Sequence, residues 1–253
     1  VRWETTSQYN AGVDLGLFKG RISIAAEVYE KTTDDLLINA DTPPSLGVSS
    51  VWKNNGSVRN RGLEFSLSTV NVASKDFKWT TDFNISFNKN QIMSLPEGKP
   101  IFGNPRYYQR YSSNQFIVEE GRPLGNMFGY VSDGVYQPDD FVNYDPNSTT
   151  NVLKPGQPSY KVIHQAGDEK YKDLVGTDGK ITSDHKINIC NGLPKHFGGL
   201  GNTFSYKGVQ LRAFFQLNYG NDILNANRLV FEELAYEGQK QYATAANRWR
   251  PDN

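Results

Sequence analysis

Residues 208–222 read GVQLRAFFQLNYGND, and every second side chain along them is apolar. Val209, Leu211, Ala213, Phe215, Leu217 and Tyr219 share one face. Gln210, Arg212, Phe214, Gln216 and Asn218 share the other. A period of two belongs to a strand and not to a helix. The first face is apolar to its end and closes on a tyrosine, while the second is wet apart from Phe214. Such a strand divides either a protein core from water or lipid from a wet lumen, and one strand alone does not choose between them.

The same pattern recurs along the chain. Tyr9, Ala11, Val13, Leu15 and Leu17 alternate with Gln8, Asn10, Gly12, Asp14 and Gly16. Lys19-Gly20 predicts a tight turn. Ile22, Ile24, Ala26 and Val28 return opposite Ser23, Ala25, Glu27 and Tyr29, which makes a hairpin. A polar segment, about 32–61, holds Trp52, Pro43-Pro44 and the turn signal Asn54-Asn55-Gly56. Leu63, Phe65, Leu67 and Thr69 alternate next. Ala73 to Asp76 link them to Trp79, Thr81, Phe83, Ile85 and Phe87, whose opposite face is Thr80, Asp82, Asn84, Ser86 and Asn88. Residues 196–206 and 209–219 flank Lys207-Gly208 as a further hairpin. Tight turns thus alternate with long connections at 95–124, 138–195 and 221–253. Short turns at one end and long loops at the other mark a membrane β-barrel, whereas a sandwich keeps most connections short. Tyr9, Trp79 and Tyr219 flank the apolar faces as interfacial aromatics do. In the tail, Leu229, Val230, Phe231, Leu234 and Ala235, then Ala243, Ala245 and Ala246, predict helical turns in a loop.

Composition narrows the classes. The 253 residues suffice for one large β domain or two ordinary ones. Mean hydropathy is −0.60, and the sequence has no run of about 18 apolar residues for a membrane helix, but barrel strands alternate and need no such run. Lys+Arg and Asp+Glu both number 27, so no basic excess points to nucleic acid. The single cysteine, Cys190, excludes an intrachain disulfide and reads as a half-buried small residue beside a loop. His164, His185 and His196 lack metal-ligand spacing. Asp34-Asp35 and Asp139-Asp140 are adjacent pairs, whereas glycoside hydrolysis needs two carboxyls facing across a bond; solvated loop charges are the better reading. No enzyme and no cofactor is expected.

Longer phrases carry a resemblance. WETTSQYNAGVDLGLFKGRISIAAEVYEKTTDDLL, NNGSVRNRGLEFSLST, FKWTTDFNISFNKNQI, EEGRPLGNMFGYVSDGVYQ and GLPKHFGGLGNTFSYKGVQLRAFFQLNYGNDI resemble, in consecutive order, the barrel of SusC/RagA-type TonB-dependent transporters. The resemblance implies an all-β fold: a segment of an antiparallel transmembrane β-barrel of about 22 strands, with short periplasmic turns and long extracellular loops. It implies that residues 1–253 form one partial barrel domain without the plug, the TonB box or the terminal strands. It further implies the outer membrane of a Gram-negative, Bacteroidota-like bacterium, contact with outer-membrane lipid, a SusD-like surface lipoprotein as lid, TonB acting through the absent plug, and oligosaccharide or peptide cargo. The segments 95–111 and 139–159 match poorly and are expected to be variable outer loops. The rivals read from the residues alone are a soluble β-rich carbohydrate-binding or adhesion module and, more weakly, a β-sheet glycosidase.

Two candidate sites follow. Sugars stack on aromatic faces while polar groups fix their hydroxyls. Trp52, Arg106, Tyr107, Tyr108, Arg110 and Tyr111 lie in expected outer loops and are candidates for cargo or lid contact, with loop self-packing as the alternative. Residues 167–182, GDEKYKDLVGTDGKIT, are similar to a family segment patterned like a calcium loop. Asp173 and Asp178 remain as weak candidate ligands there. Val175 stands where that segment has Asn, Thr182 where it has an acidic Asp, and one residue is inserted before Asp178, so a tight turn at Asp178-Gly179 without an ion is the favoured reading.

Overall fold

A computed structural model describes residues 2–43, 45, 47–103, 115–161, 163–175, 178–232 and 240–250, with the side chains of residues 41 and 229 left aside. The chain divides into two compact units. One holds residues 1–103, 116–126 and 191–222, and the other holds 104–115, 127–190 and 223–253.

The first unit is built on a six-stranded antiparallel sheet. Its strands are β1 (Thr5–Leu17), β2 (Ile22–Asp34), β5 (Ser57–Ala73), β6 (Phe77–Ser94), β13 (His196–Tyr206) and β14 (Val209–Tyr219), paired in that order. Between β2 and β5 the chain forms a separate hairpin of β3 (Leu37–Asp41) and β4 (Ser50–Asn54). The last hairpin has the bounds that its alternation predicts. The others run further than expected: β5 and β6 reach 17 and 18 residues. The tight turns carry positive φ, at Phe18, Lys19 and Gly20 and again at Lys207 (44°) and Gly208 (85°), as turns matching the strand twist require. Arg21 donates to the carbonyls of Val70 and Asn71 where a bulge interrupts the β5–β6 ladder.

The register sorts the side chains into two continuous faces, because directly opposed residues share a side. One row runs Leu15, Ile24, Leu67, Phe83, Leu200, Phe215 across all six strands, and the next runs Val13, Ala26, Phe65, Ile85, Gly198, Leu217. The opposite face carries Asp14, Ala25, Ser66, Asn84, Gly199, Gln216 and, one row on, Gly12, Glu27, Glu64, Ser86, Phe197, Asn218. Much of the apolar face is exposed among the described residues: Leu211 and Phe215 on the edge strand are each 65% exposed. Near the tight-turn end this face holds a small polar knot. Trp79 Nε1 and Thr81 Oγ1 both donate to Asn202 Oδ1, at 2.9 and 2.7 Å, and Asn71 Nδ2 donates to Thr81. Trp79 also stacks on Phe204, with centroids 5.6 Å apart.

Phe214 is the apolar residue on the wet face, and the structure accounts for it. Its ring lies over the backbone of Gly199 and Gly201, where added Cβ atoms would come within 3.1 and 3.6 Å of it. Tyr29 covers Gly62 on the same face and donates to Asn88 Oδ1 at 3.2 Å.

The long connection between β6 and β13 contains short strands that alternation did not reveal. In the first unit, β7 (Ile101–Gly103) pairs with β8 (Phe116–Val118). In the second, β9 (Asn126–Gly129) lies beside β12 (Ile187–Asn191), and β10 (Ser132–Val135) pairs with β11 (Glu169–Tyr171). Cys190 is half-buried beside β9, its thiol 3.2 Å from Met127 Sδ. The tail forms α1 (Ala226–Phe231) and a 3-10 turn at Ala243–Asn247. Leu234 and Ala235 lie outside the described residues. The second unit has its own core of Tyr136, Phe141 and Ala166, with Tyr144, Leu153 and Trp249 packed against it. Gly167, at φ +93°, leaves room for the Trp249 ring, whose Nε1 donates to Gln137 Oε1 at 3.1 Å.

Candidate functional site

Three places collect chemistry-bearing groups. The first is the polar face of the sheet, which no single strand disclosed. Asp14, Glu27, Glu64 and Asp82 converge there from four neighbouring strands, and Glu27 and Glu64 are directly opposed. Opposed like charges disfavour pairing. Asn10 Nδ2 donates to Glu27 Oε1 at 2.9 Å, and Ser68 Oγ donates to Asp82 Oδ1 at 2.7 Å. A hollow of about 320 Å³ opens over Gly12, Asp14, Glu27, Glu64, Ser66 and Asn84. Its lining is small and acidic, so it presents acceptors to hydroxyls, amides or cations.

The second place is the β3–β4 hairpin. Trp52 is 59% exposed there. Asn54 ties the hairpin to the chain start: its Oδ1 accepts from Arg2 N at 2.7 Å, and its Nδ2 donates to the carbonyls of Arg2 and Asp35. Arg2 also pairs with Asp35 at 3.4 Å, and Glu4 accepts from Leu37 N at 3.0 Å. The result is an open cleft of about 630 Å³ between Arg2, Trp52, Lys53, Asn54 and Asn55. An aromatic plane flanked by amides and cations suits stacking with lateral hydrogen bonds.

The third place is the second unit. A run of rings, Tyr130, Tyr171, Tyr160, His164, Tyr136, Phe141 and Tyr144, touches in sequence at 4.7–6.1 Å between centroids. Lys186, Lys161 and Lys170 each lie over one of these tyrosines. The Tyr136 hydroxyl donates to the Pro158 carbonyl, and burial pushes its phenol up to about 12. Ser159 Oγ donates to the Lys161 carbonyl, so it accepts from His164 Nε2 at 3.0 Å. His164 Nδ1 is then left buried with no hydrogen-bond partner among the described residues. Burial, assisted by Lys161, holds the His164 pKa below the ordinary value. A folded-state value below the unfolded one, about 6.5, means that the unfolded chain takes up the proton first. Stability of this unit is therefore expected to fall as pH drops below about 6.5 and to level off below the folded value. The thermal midpoint should fall between pH 7.5 and 5.5, and less so in His164→Phe. Equal falls in both proteins would refute this.

The sequence candidates fare differently. Trp52 heads the cleft just described. Arg106, Tyr107, Tyr108, Arg110 and Tyr111 lie outside the described residues. Asp173 Oδ1 faces His185 Nε2 at 2.9 Å, and its Oδ2 accepts from Gly179 N at 3.2 Å. Thr182 N donates to His185 Nδ1 at 3.1 Å, so Nε2 carries the hydrogen given to Asp173. Asp178 Oδ1 accepts from Lys180 N. Protein donors hold both carboxylates, and among the described residues no group of three or more His, Cys, Asp or Glu could hold a metal. Asp34 accepts from Ser57 Oγ, and Asp140 accepts from Gln137 N while facing Lys170 at 3.5 Å. Asp34, Asp35 and Asp140 are thus engaged by protein partners. His164 and His185 are buried against protein partners, a placement that spacing alone could not reveal.

An antiparallel sheet with an exposed apolar face, a polar opposite face, tight turns at one end and long excursions at the other is a segment of transmembrane β-barrel. The chain belongs to the family described as TonB dependent receptor-like, beta-barrel, whose family model matches residues 1–252. It is 34% identical over 255 residues to TonB-dependent receptor P3 of Formosa agariphila, covering 100% of this chain and 24% of that protein. It is 34% identical over 150 residues to TonB-dependent receptor SusC of Bacteroides thetaiotaomicron, covering 51% of this chain and 15% of that one. A solved structure described as the RagAB peptide transporter superposes with a TM-score of 0.70 at 24% identity, covering 99% of this chain and 25% of that one. The chain thus spans about a quarter of the length of the first of these relatives. In a transmembrane barrel the apolar face of such a sheet is the one that meets lipid and the polar face the one that lines the lumen.

Proposed function

We propose that residues 1–253 form one partial barrel domain, contributing wall and outer rim to a nutrient importer of a Gram-negative outer membrane. The importer takes up oligosaccharides or peptides with energy delivered through TonB, together with a SusD-like surface lipoprotein that closes the mouth. The observation that carries this reading is the in-register split of the six-stranded sheet, lipid-compatible on one face and small, polar and acidic on the other. The relatives named SusC and RagAB support the importer class, the latter being a peptide transporter by its description. The chain shapes a passage and makes no covalent bond. A soluble carbohydrate-binding module would have to cover rows such as Leu15 to Phe215 with further protein, since exposed patches of that extent are rare in soluble monomers.

The test is growth of a strain lacking the parent protein on single oligosaccharide or peptide sources. A defect on one source, rescued by the parent protein and abolished for both by collapsing the proton-motive force, is the expected result. Unchanged growth on every source, with no tagged lipoprotein recovered alongside the parent protein, would overturn the importer reading.

In this reading the cleft at Trp52 contacts cargo or lid. Trp52→Ala is expected to weaken one of those associations about thirtyfold, the size of an interface hot spot, without changing the folded yield. Unaltered affinity for both would return Trp52 to a packing role.

A further inference from the structure

We propose that the lipid-facing side of β1, β2, β5 and β6, at the end away from the tight turns, is a docking site for a phosphorylated lipid of the surrounding leaflet. The proposal rests on the reading that this face meets lipid. The last fully apolar row of the band is Ala11, Val28, Leu63, Phe87. One residue pair further out the row becomes Tyr9, Glu30, Arg61, Lys89, and the next is Thr32, Arg59, Gln91. Two residues of strand advance about 7 Å, which is the step from acyl chain to headgroup. At the opposite end β1, β2 and β5 close outward on Leu17, Ile22 and Thr69, and the outward rows of β6, β13 and β14 are Trp79, Phe204, Leu211 and Phe77, Tyr206, Val209; of the cations there, Lys19, Arg21 and Lys207 lie in the turns. The row of strand cations belongs to one boundary.

The groups are placed to receive a phosphate. Arg61 pairs with Glu30 across the strands, with side chains 55% and 37% exposed, so the guanidinium is steadied but not enclosed. Arg59 is fixed by Nη2 donating to Gln91 Oε1 at 2.9 Å. Lys89 is exposed and pairs with no group among the described residues. Three cations against one carboxylate leave an excess of two positive charges. Beneath them a hollow of about 370 Å³ is lined by Tyr9, Ala11, Val28, Glu30 and Arg61 along with the neighbouring Asn10 and Tyr29. An apolar floor under a cationic rim matches a lipid: acyl chain on Ala11 and Val28, phosphate on the arginine fork, with Tyr9 between at interface level. Free inorganic phosphate would use the rim alone.

The test titrates the full-length parent protein in micelles with a diphosphorylated disaccharide lipid, its dephosphorylated form and inorganic phosphate, reading retained lipid by native mass spectrometry. Arg61→Gln combined with Lys89→Gln is expected to retain the phosphorylated lipid about 25-fold less, at about fivefold per cation near a charged surface, and the dephosphorylated lipid equally. Glu30→Gln, which releases Arg61, is expected to retain more. Folding of each variant is checked by the mobility difference between boiled and unboiled samples. Equal retention in wild type and the double variant, loss of both lipids alike, or displacement of the lipid by millimolar phosphate would overturn the proposal. Failure of the membrane reading shows separately, as a parent protein that stays monodisperse once detergent is removed, and it would overturn the lipid site too.

Discussion

Leu200→Arg in the parent protein is expected to destabilise the inserted barrel by about 2–4 kcal/mol, the cost of a cation at the bilayer midplane. Leu200 lies in the middle of the outward rows, between Phe83 and Phe215. The eleven residues of β13, rising about 3.3 Å each, extend about 36 Å, and a tilt of about 45° projects this onto about 25 Å of membrane normal. Leu200 is near the centre of that span. Tyr206→Arg, at its end, is expected to cost about 0–1 kcal/mol. Gln216→Arg, on the lumen face beside Gly199, should stay within about 0.5 kcal/mol. Equilibrium unfolding from vesicles measures all three. Equal costs at 200 and 216 would mean that the faces are assigned wrongly, and no gradient between 200 and 206 would mean that the sheet does not cross a bilayer.

The second large effect belongs to Gly198. A Cβ there would come within 2.3 Å of the Asn84 carbonyl oxygen and 3.2 Å of Ile85 Cα. Both are backbone of the neighbouring strand β6, so no side chain can swing aside. The ladder would have to part, and in lipid each unpaired backbone group costs several kcal/mol. Gly198→Val is therefore expected to abolish the folded form, seen as loss of the fast-migrating unboiled band. Gly16→Ala, where an added Cβ meets nothing within 4 Å, should leave that band intact. A folded Gly198→Val protein would refute the close approach of β6 and β13.

The membrane-level strands were legible because their two environments impose a strict period of two. Residues 196–206 and 209–219 show this most clearly. The alternation fades in β5 and β6 beyond Leu63 and Phe87, where the outward row turns from apolar to Arg61 and Lys89. The strands continue there, but Asn88, Asn60 and Asn90 make the opposite face polar too until Val58 meets Ile92, and the pattern no longer marks them. The β3–β4 hairpin was hidden for the same reason: Leu37 opposes Asn54 and Ile38 opposes Lys53, so neither face is uniform. The acidic patch was illegible because it takes one residue from each of four strands, and only the register joins them. The second unit was the least readable. Its core rests on Tyr136, Phe141 and Trp249, brought together from distant loop positions, and a buried imidazole such as His164 leaves no periodic trace.

The indole of Trp79 has one hydrogen-bond donor, and it is committed to Asn202. An interfacial tryptophan ordinarily keeps that donor for water or a headgroup and so acts as a float. Trp79 is instead sealed into the sheet, and its ring is ballast stacked on Phe204. Levelling at that waterline falls to Tyr206, one row further down, whose ring lies under Lys207 Nζ at 5.4 Å. Along the described strands the draught on this side then rests on a phenol with an ammonium beside it, a hold expected to loosen when the ammonium is neutralised.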